Sequence, residues 1–424
     1  MTDAYAVIRR DVLDRIERRE LRADASPETV RALVRAGVDN YQRRAHHGEL
    51  VPLSDPHAMV ERIVRSITDL GPLTELLARP DVEEVFIEGA RVTFLDHSGQ
   101  LRGLTTPTSE EENRQIIDRL LAATDRQLTT KQPLVQARVL EGTARLTAAI
   151  PPIGDQLSAT LRRYTVRDVT LEDLVVLGLL TDEAAAFLRT AMQFRSRIAI
   201  SGEPGAGKTT LLAGMLAAGP PGHCVRCCEE IREIAVPITH GSYYEVRPSG
   251  LDGTGEIGMR ELVKFVLAMR PDRIVVGEVR GAEAFELTRA INAGCGFLCT
   301  VHANTAGEAL SALVNAALMA GENVTERLVR KVFSESLDLV VHLDRDDTPR
   351  GDAGIRRRIM QIAAVVPSLT DDFTLEPVFA RDALGEPLRW TGIIPDRFAA
   401  RSARALAGGP TLRDVVDGTA LAIR

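Results

Sequence analysis

The sequence predicts an α/β protein in which a mainly parallel sheet is covered by helices on both faces. From residue 187 onward, short runs rich in β-branched residues alternate with amphipathic helical segments, which is the pattern of strands buried between two layers of helices. Apolar residues make up 45% and charged residues 26% of the 424 residues, the composition of a folded globular chain. A chain of this length is expected to form two or three domains.

Residues 1–69 predict a helical extension that precedes the rest of the fold. Apolar residues recur there at spacings of three and four in three successive segments. Ser26-Pro27 and Asp55-Pro56 are typical helix starts, because a side-chain oxygen before a proline caps the first turn.

Residues 70–165 predict a small α/β domain. Short strand-like runs turn at Gly89 and at Ser98-Gly99, and a helix is expected from residue 110 to residue 124. Residues 166–186 then predict a linker. Residues 187–424 form the predicted nucleotide-binding domain, which ends in further strands and a helix.

Charge and hydropathy exclude several classes of protein. The net charge is −7 and no long basic block is present, so an extended nucleic-acid-binding surface is not expected. The longest apolar runs are much shorter than a membrane-spanning helix needs, and the N-terminus lacks the apolar core of a secretory signal. The five cysteines are expected to be buried, reduced strand residues. A cytoplasmic location is therefore predicted.

A phosphate-binding loop is the strongest motif in the sequence. GEPGAGKT at 202–209 matches GxxxxGK[ST], with an apolar strand before it and a helix after it. Its glycines let backbone N–H groups surround phosphate oxygens at a helix N-terminus, where the helix dipole favours anions. Lys208 supplies positive charge, and the Thr209 hydroxyl is a typical Mg²⁺ ligand. ATP or GTP is expected here, bound by Gly202, Glu203, Pro204, Gly205, Ala206, Gly207, Lys208, Thr209 and Thr210.

Hydrolysis also needs a group that orients water, and Glu278 is the candidate general base. The run MRPDRIVVGEVRG contains an apolar strand, 274–276, followed directly by Gly277-Glu278. Ligands of parallel sheets lie at the carboxyl ends of the strands, which is where this strand delivers the carboxylate. The alternative is a solvated glutamate that merely ends a strand.

Three runs together resemble the signatures of a known enzyme family. MRPDRIVVGEVRG, CTVHAN and CCEEIREI, in their order and spacing, resemble the Walker B, His-box and acidic-box motifs of the ATPases of type II and type IV secretion and pilus machines. The resemblance is greatest to the CpaF/TadA branch, which powers Tad-type pili. It implies a RecA-like P-loop NTPase core preceded by a small PAS-like α/β domain. ATP and Mg²⁺ are the implied cofactors, and the implied assembly is a hexameric ring that acts on an inner-membrane platform protein.

The resemblance also implies roles for individual residues. Glu229, Glu230 and Glu233 would form the acidic box that positions Mg²⁺ and water, with Glu230 near the metal where the family commonly has Asp. His302 would lie near the γ-phosphate. The first histidine of the family's His box is replaced, since this chain reads Gly294-Cys295-Gly296. Arginines would neutralise the phosphates: Arg247 and Arg280 from the core, and Arg138, Arg145 and Arg162 from the preceding domain.

The sequence therefore predicts a Mg²⁺-dependent ATPase that powers pilus assembly or protein secretion from the inner face of the cell membrane. One alternative is a motor that moves nucleic acid, which the acidic net charge and an aromatic content of 4% disfavour. A second alternative is a nucleotide-gated scaffold with negligible hydrolysis. No nucleic-acid partner is expected, and the residues alone indicate no oligomeric state.

Overall fold

The chain divides into two compact units, residues 1–163 and 164–424. The structure is a computed structural model, and it describes residues 4–16, 18, 27–164, 169–250, 252–321, 323–346, 356–367, 373–405 and 411–416. The predicted boundaries after residues 69, 165 and 186 stay predictions.

The first unit begins with three helices that pack around an apolar core of their own. Val12, Val34 and Ile63 are fully buried at the centre of this core. The third helix begins as predicted, because the Asp55 side chain accepts a hydrogen bond from the backbone N–H of Ala58. The predicted cap at Ser26 lies outside the described residues. The helices are α1 (Ala4–Arg15), α2 (Pro27–His46) and α3 (Pro56–Thr68).

The rest of the first unit is a six-stranded antiparallel sheet with a second apolar core. The strand order is β3-β2-β1-β6-β5-β4, and alternate residues such as Ala137, Val139, Leu146 and Leu161 are buried on one face. Two helices complete this core. The elements are α4 (Leu73–Ala78), β1 (Val82–Glu88), β2 (Arg91–Asp96), β3 (Leu101–Gly103), α5 (Glu110–Ala122), β4 (Leu134–Val139), β5 (Ala144–Ala149) and β6 (Ser158–Arg163).

The second unit is built on a nine-stranded sheet, ordered β15-β14-β13-β12-β7-β11-β10-β8-β9. Strands β12, β7, β11, β10, β8 and β9 are parallel to one another, and β13 to β15 extend the sheet in antiparallel fashion. The strands are β7 (Arg197–Ser201), β8 (Val225–Glu229), β9 (Gly241–Glu245), β10 (Arg273–Val279), β11 (Gly296–Val301), β12 (Leu339–Asp346), β13 (Arg356–Pro367), β14 (Phe373–Ala380) and β15 (Arg389–Trp390).

Helices cover both faces of this sheet. Side chains alternate along the strands, so that Ile198 and Ile200 enter one apolar cluster while Ala199 enters the other. The first cluster is shared with α6 (Leu171–Val176), α7 (Asp182–Gln193), α8 (Lys208–Ala217), α13 (Asp396–Ala405) and α14 (Leu412–Val416), and the second with α9 (Met259–Leu267), α10 (Glu283–Asn292), α11 (Ala306–Leu318) and α12 (Glu326–Ser336). The predicted α/β class with a RecA-like core is confirmed.

The segment predicted as a linker, 166–186, contains helix α6 and the start of α7. Thr170 and Asp173 form a reciprocal capping box at the start of α6. Leu171 and Leu174 are buried in the core of the second unit. Its described part, from residue 169 onward, belongs to the packed fold because apolar residues there are spaced to face one side of a helix.

Most of the cysteines lie inside the fold. Cys227, Cys228, Cys295 and Cys299 are buried free thiols, and Cys224 is half-buried. None of the helices in the described ranges is both long and apolar enough to cross a membrane.

Candidate active site

The phosphate-binding loop joins β7 to α8 as a tight glycine-dependent turn. Gly202, Gly205 and Gly207 have φ values of +151°, +77° and +94°, a region that side-chain-bearing residues rarely adopt. A Cβ atom on Gly202 would also collide with the carbonyl oxygen of Leu343 in the neighbouring strand β12. The glycines are therefore required by the path of the backbone as well as by space.

Lys208 is buried at the start of α8, with 8% of its surface exposed. Its ammonium group lies 2.8 Å from the carbonyl oxygen of Gly202, 3.0 Å from that of Glu203 and 3.3 Å from Nδ1 of His302. An ammonium group has three protons to donate, and these contacts already engage it. A phosphate oxygen that enters the loop would replace at least one of them.

His302 connects Lys208 to Glu278. Nδ1 of His302 lies 3.3 Å from Nζ of Lys208, and Nε2 contacts Glu278 Oε1. In the tautomer that carries its proton on Nε2, Nδ1 accepts from the ammonium group and Nε2 donates to the carboxylate. Burial and the charge of Lys208 lower the pKa of His302, although Glu278 acts in the opposite direction. The imidazole is therefore neutral near pH 7. The order of β7, β11 and β10 in the sheet makes this contact possible.

Arg280 holds the second oxygen of the predicted base. It forms an ion pair with Glu278 Oε2, and its Nη1 lies 3.2 Å from Glu230 Oε2. Glu283 fixes the backbone here, because its Oε1 accepts from the N–H groups of Arg280 at 2.7 Å and Gly281 at 2.8 Å. The structure thus brings Glu278, Glu230, Arg280 and His302 together beside Lys208.

Glu229 is engaged with the backbone of its own loop. It is 3% exposed, and its Oε1 accepts from the N–H groups of Glu233 at 3.0 Å and Ile234 at 3.2 Å. Burial raises the pKa of Glu229 to about 8, against the effect of these two hydrogen bonds. The hydrogen bonds of Glu229 therefore hold the loop that follows β8. Glu230, the next residue, is the carboxylate of this loop that pairs with Arg280.

The remaining core residues lie as follows. Thr209 and Thr210 are half-buried in the first turn of α8. Arg247 is exposed beyond the edge strand β9, where its backbone pairs with Ile257. Three strands lie between β9 and β7, so the structure does not bring Arg247 to the loop.

The three arginines predicted from the first unit form a row across its sheet. Arg138 is the register partner of Arg145, and Arg145 is the partner of Arg162. Arg162 is followed by Glu84, at 3.5 Å. Directly opposed residues point to the same face, and like charges in such positions are destabilising. The other two arginines have polar partners too, since Arg138 Nε donates to the carbonyl of Gly142 at 3.3 Å and Arg145 Nη2 donates to Gln136 Oε1 at 3.2 Å. We call Arg138, Arg145 and Arg162 the arginine row.

Sequence reasoning missed two arginines that contact the phosphate-binding loop. Arg345 Nη1 donates to the carbonyl of Pro204 at 2.9 Å, and Arg357 Nε donates to the carbonyl of Gly205 at 2.8 Å. Both follow from the position of β12 beside β7 and of β13 beside β12. Local sequence carries no signal for these contacts in a chain where arginine is the common basic residue.

Comparison with known proteins establishes the family. The profile of the family described as Type II/IV secretion system protein matches residues 67–365. The chain belongs to this family. The match includes the phosphate-binding loop, Glu230, Glu278, Arg280 and His302, so the type II/IV secretion family assignment covers the whole cluster described above.

Relatives within the type II/IV secretion family are similar over most of their length. A putative conjugal transfer protein of Mycobacterium tuberculosis is 33% identical over 309 residues, which cover 70% of this chain and 85% of that protein. The probable conjugal transfer protein TrbB of Sinorhizobium fredii is 31% identical over 308 residues, with 72% and 90% covered. The crystal structure of the VirB11 ATPase from the Brucella suis type IV secretion system is 22% identical, with 69% and 95% covered and a TM-score of 0.36.

Family membership, together with the phosphate-binding loop, confirms the predicted enzyme class, an ATPase. The predicted CpaF/TadA branch is narrower than the family that is shown, and it stays a prediction. The roles of the individual site residues stay predictions as well.

Proposed function

We propose that this type II/IV secretion family member hydrolyses MgATP and uses the cycle to drive pilus assembly or protein export through an inner-membrane platform protein. The single observation that supports hydrolysis best is the continuous contact from Lys208 through His302 to Glu278. Through this contact, only the His302 side chain separates the Glu278 carboxylate from Lys208, the residue proposed to bind the terminal phosphates.

The site offers suitable ligands for both ATP and magnesium. The glycine loop and Lys208 would hold the β- and γ-phosphates. The Thr209 hydroxyl at the start of α8 and the Glu230 carboxylate supply oxygen atoms, the ligands that Mg²⁺ prefers. Bound Mg²⁺ would offset the negative charge of the phosphate oxygens.

The two oxygens of Glu278 have different partners, which suggests how the base works. His302 holds Oε1, and Arg280 holds Oε2. When Arg280 exchanges Oε2 for a phosphate oxygen, Oε2 becomes available to accept a proton from water. Arg280 then stabilises the charge that builds on the phosphate in the transition state, while His302 keeps Glu278 in place.

Replacement of Glu278 by glutamine tests this assignment. E278Q keeps the size of the side chain but cannot take a proton, so turnover is expected to fall by about 100-fold or more. MgATP binding should remain, as measured by calorimetry beside a steady-state phosphate-release assay. The exposed Glu335 offers a matched control, E335Q, with wild-type turnover. Wild-type turnover of E278Q would assign the base to another residue.

We propose the Tad-type pilus as the machine and a hexameric ring as the working assembly, located at the inner face of the cell membrane. The basis is the motif pattern of the CpaF/TadA branch. Light scattering in the presence of MgADP measures the ring directly, and stimulation of turnover by the platform protein in vesicles measures the coupling. Wild-type protein that hydrolyses no ATP even with the platform protein would contradict the motor, and a single-turnover assay would then identify a nucleotide-gated scaffold.

A nucleic-acid motor is the second candidate, because two of the relatives reported above are named conjugal transfer proteins. This function predicts that DNA stimulates ATP hydrolysis. The stimulation should decline steeply between about 50 and 200 mM salt, because contacts with DNA phosphates release counterions. Against it stands the net charge of −7. Turnover that DNA leaves unchanged at low salt excludes this candidate.

A further inference from the structure

Four consecutive carbonyl groups of the phosphate-binding loop accept hydrogen bonds from cationic side chains. The carbonyls of Gly202 and Glu203 accept from Lys208, at 2.8 and 3.0 Å. Those of Pro204 and Gly205 accept from Arg345 at 2.9 Å and from Arg357 at 2.8 Å. Hydrogen bonds from charged donors are about twice as strong as neutral ones, so these contacts define the shape of the loop.

The two arginines act from one place in the fold. Arg345 on β12 and Arg357 on β13 are direct register partners, so their side chains leave the sheet on the same face. Two like charges in such positions repel each other, and the hydrogen bonds to the loop carbonyls are among the contacts that offset this repulsion. Arg345 lies so close to the loop that a Cβ atom on Gly205 would collide with its Nη1.

Lys208 and the arginines differ in what they do when phosphate binds. The ammonium group of Lys208 is already engaged by two loop carbonyls and His302. Contact with a phosphate oxygen therefore removes Lys208 from at least one of these acceptors. Arg345 and Arg357 approach the loop from the neighbouring strands, and nothing requires them to leave their carbonyls at that moment.

We infer that Arg345 and Arg357 are positioning residues that keep the phosphate-binding loop in its binding shape. This inference rests on the proposed nucleotide site and adds two residues to it. The carbonyl of Pro204 and the N–H of Gly205 belong to one planar peptide unit. A guanidinium on that carbonyl polarises the unit and strengthens its N–H as a donor to phosphate.

Substitution of each arginine by glutamine tests the inference. R345Q and R357Q should each weaken MgADP binding by about tenfold, and the double variant by more, because charge-assisted bonds to the loop are lost. The maximal rate with saturating MgATP should stay within about threefold of wild type, since the reacting groups remain. Calorimetry with MgADP gives Kd, and a phosphate-release assay gives KM and kcat.

Arg358 is the matched control, since it follows Arg357 on β13 but donates to the carbonyls of Leu177 and Arg357. R358Q should bind MgADP like wild type. R345K and R357K keep the charge but lose the planar fork, so they should recover part of the affinity and remain informative if a glutamine variant does not fold. Urea unfolding of every variant shows which are folded.

Two results would overturn the inference. One is wild-type MgADP affinity in folded R345Q and R357Q proteins, which would make the arginines structural. The other is a large loss of kcat with unchanged Kd, which would place them in the chemical step. A wild-type protein without turnover would contradict the proposed function, but the MgADP measurement would still test the loop contacts.

Discussion

Burial moves the pKa values of two residues near the phosphate-binding loop in opposite directions. It raises the pKa of Glu229 to about 8, since a buried carboxylate loses its hydration. It lowers the pKa of His302, with Lys208 as the second cause. Both changes favour the uncharged form near neutral pH. Arg280 pairs with the carboxylates of Glu230 and Glu278 in the same site.

The raised pKa of Glu229 makes stability depend on pH in a predictable direction. Its usual value of 4.5 applies to the unfolded chain, and its value in the fold is about 8. Between these values the folded protein keeps a proton that the unfolded chain releases. The stability that this group contributes is therefore complete below pH 4.5 and is lost as the pH rises through 8.

E229Q should remove this dependence, because the glutamine oxygen still accepts from the N–H groups of Glu233 and Ile234 but does not titrate. The variant should gain on wild type as the pH rises from 5 to 8.5, by on the order of a few kcal/mol. Urea unfolding at both pH values measures the difference, with E335Q as the control. Parallel pH curves for E229Q and wild type would show that Glu229 does not titrate in this range. ATP turnover of E229Q should remain, since Glu229 contacts the loop backbone.

At the scale of helices and strands, local sequence patterns predicted where individual elements lie. The glycine motif located the turn between β7 and α8, and β-branched runs located the parallel strands. The order of those strands was not predictable locally. Arg345 reaches Pro204 across 141 positions of sequence, and only the sheet order brings them together. The sequence also did not predict that an arginine would be buried. Arg273 is 1% exposed and donates to the carbonyls of Ser196, Met192 and Phe194.

Substitution of Gly202 tests whether the turn between β7 and α8 requires glycine. G202A adds a methyl group where φ is +151° and where the carbonyl of Leu343 occupies the space. The loop must shift away from β12, so the variant should lose roughly 1–3 kcal/mol of stability and most of its MgADP affinity. Urea unfolding and calorimetry measure the two losses. Gly222, where a Cβ atom has open space, supplies the control G222A; equal behaviour of the two variants would contradict the steric argument.

At the scale of the whole molecule, the groups with predicted roles belong to two compact units. The phosphate-binding loop, Glu278 and Arg280 lie in residues 164–424, and the arginine row lies in residues 1–163. The family resemblance implies that Arg138, Arg145 and Arg162 neutralise phosphate. Their register adds a physical reason, since it places three guanidinium groups side by side on one face of the sheet, an arrangement suited to binding an anion.

Alanine substitutions in the arginine row test whether catalysis needs the first unit. If the row stabilises the transferring phosphate, R138A, R145A and R162A should each lower turnover at saturating MgATP by about tenfold or more. The same substitutions relieve charge repulsion across β4, β5 and β6 but also remove the contacts of the arginines with Gly142, Gln136 and Glu84, so stability should change by no more than about 1 kcal/mol. The exposed Arg91 on β2 provides the control R91A. Turnover that survives all three substitutions would remove the row from the reaction, and loss of turnover together with loss of stability would indicate a structural role instead.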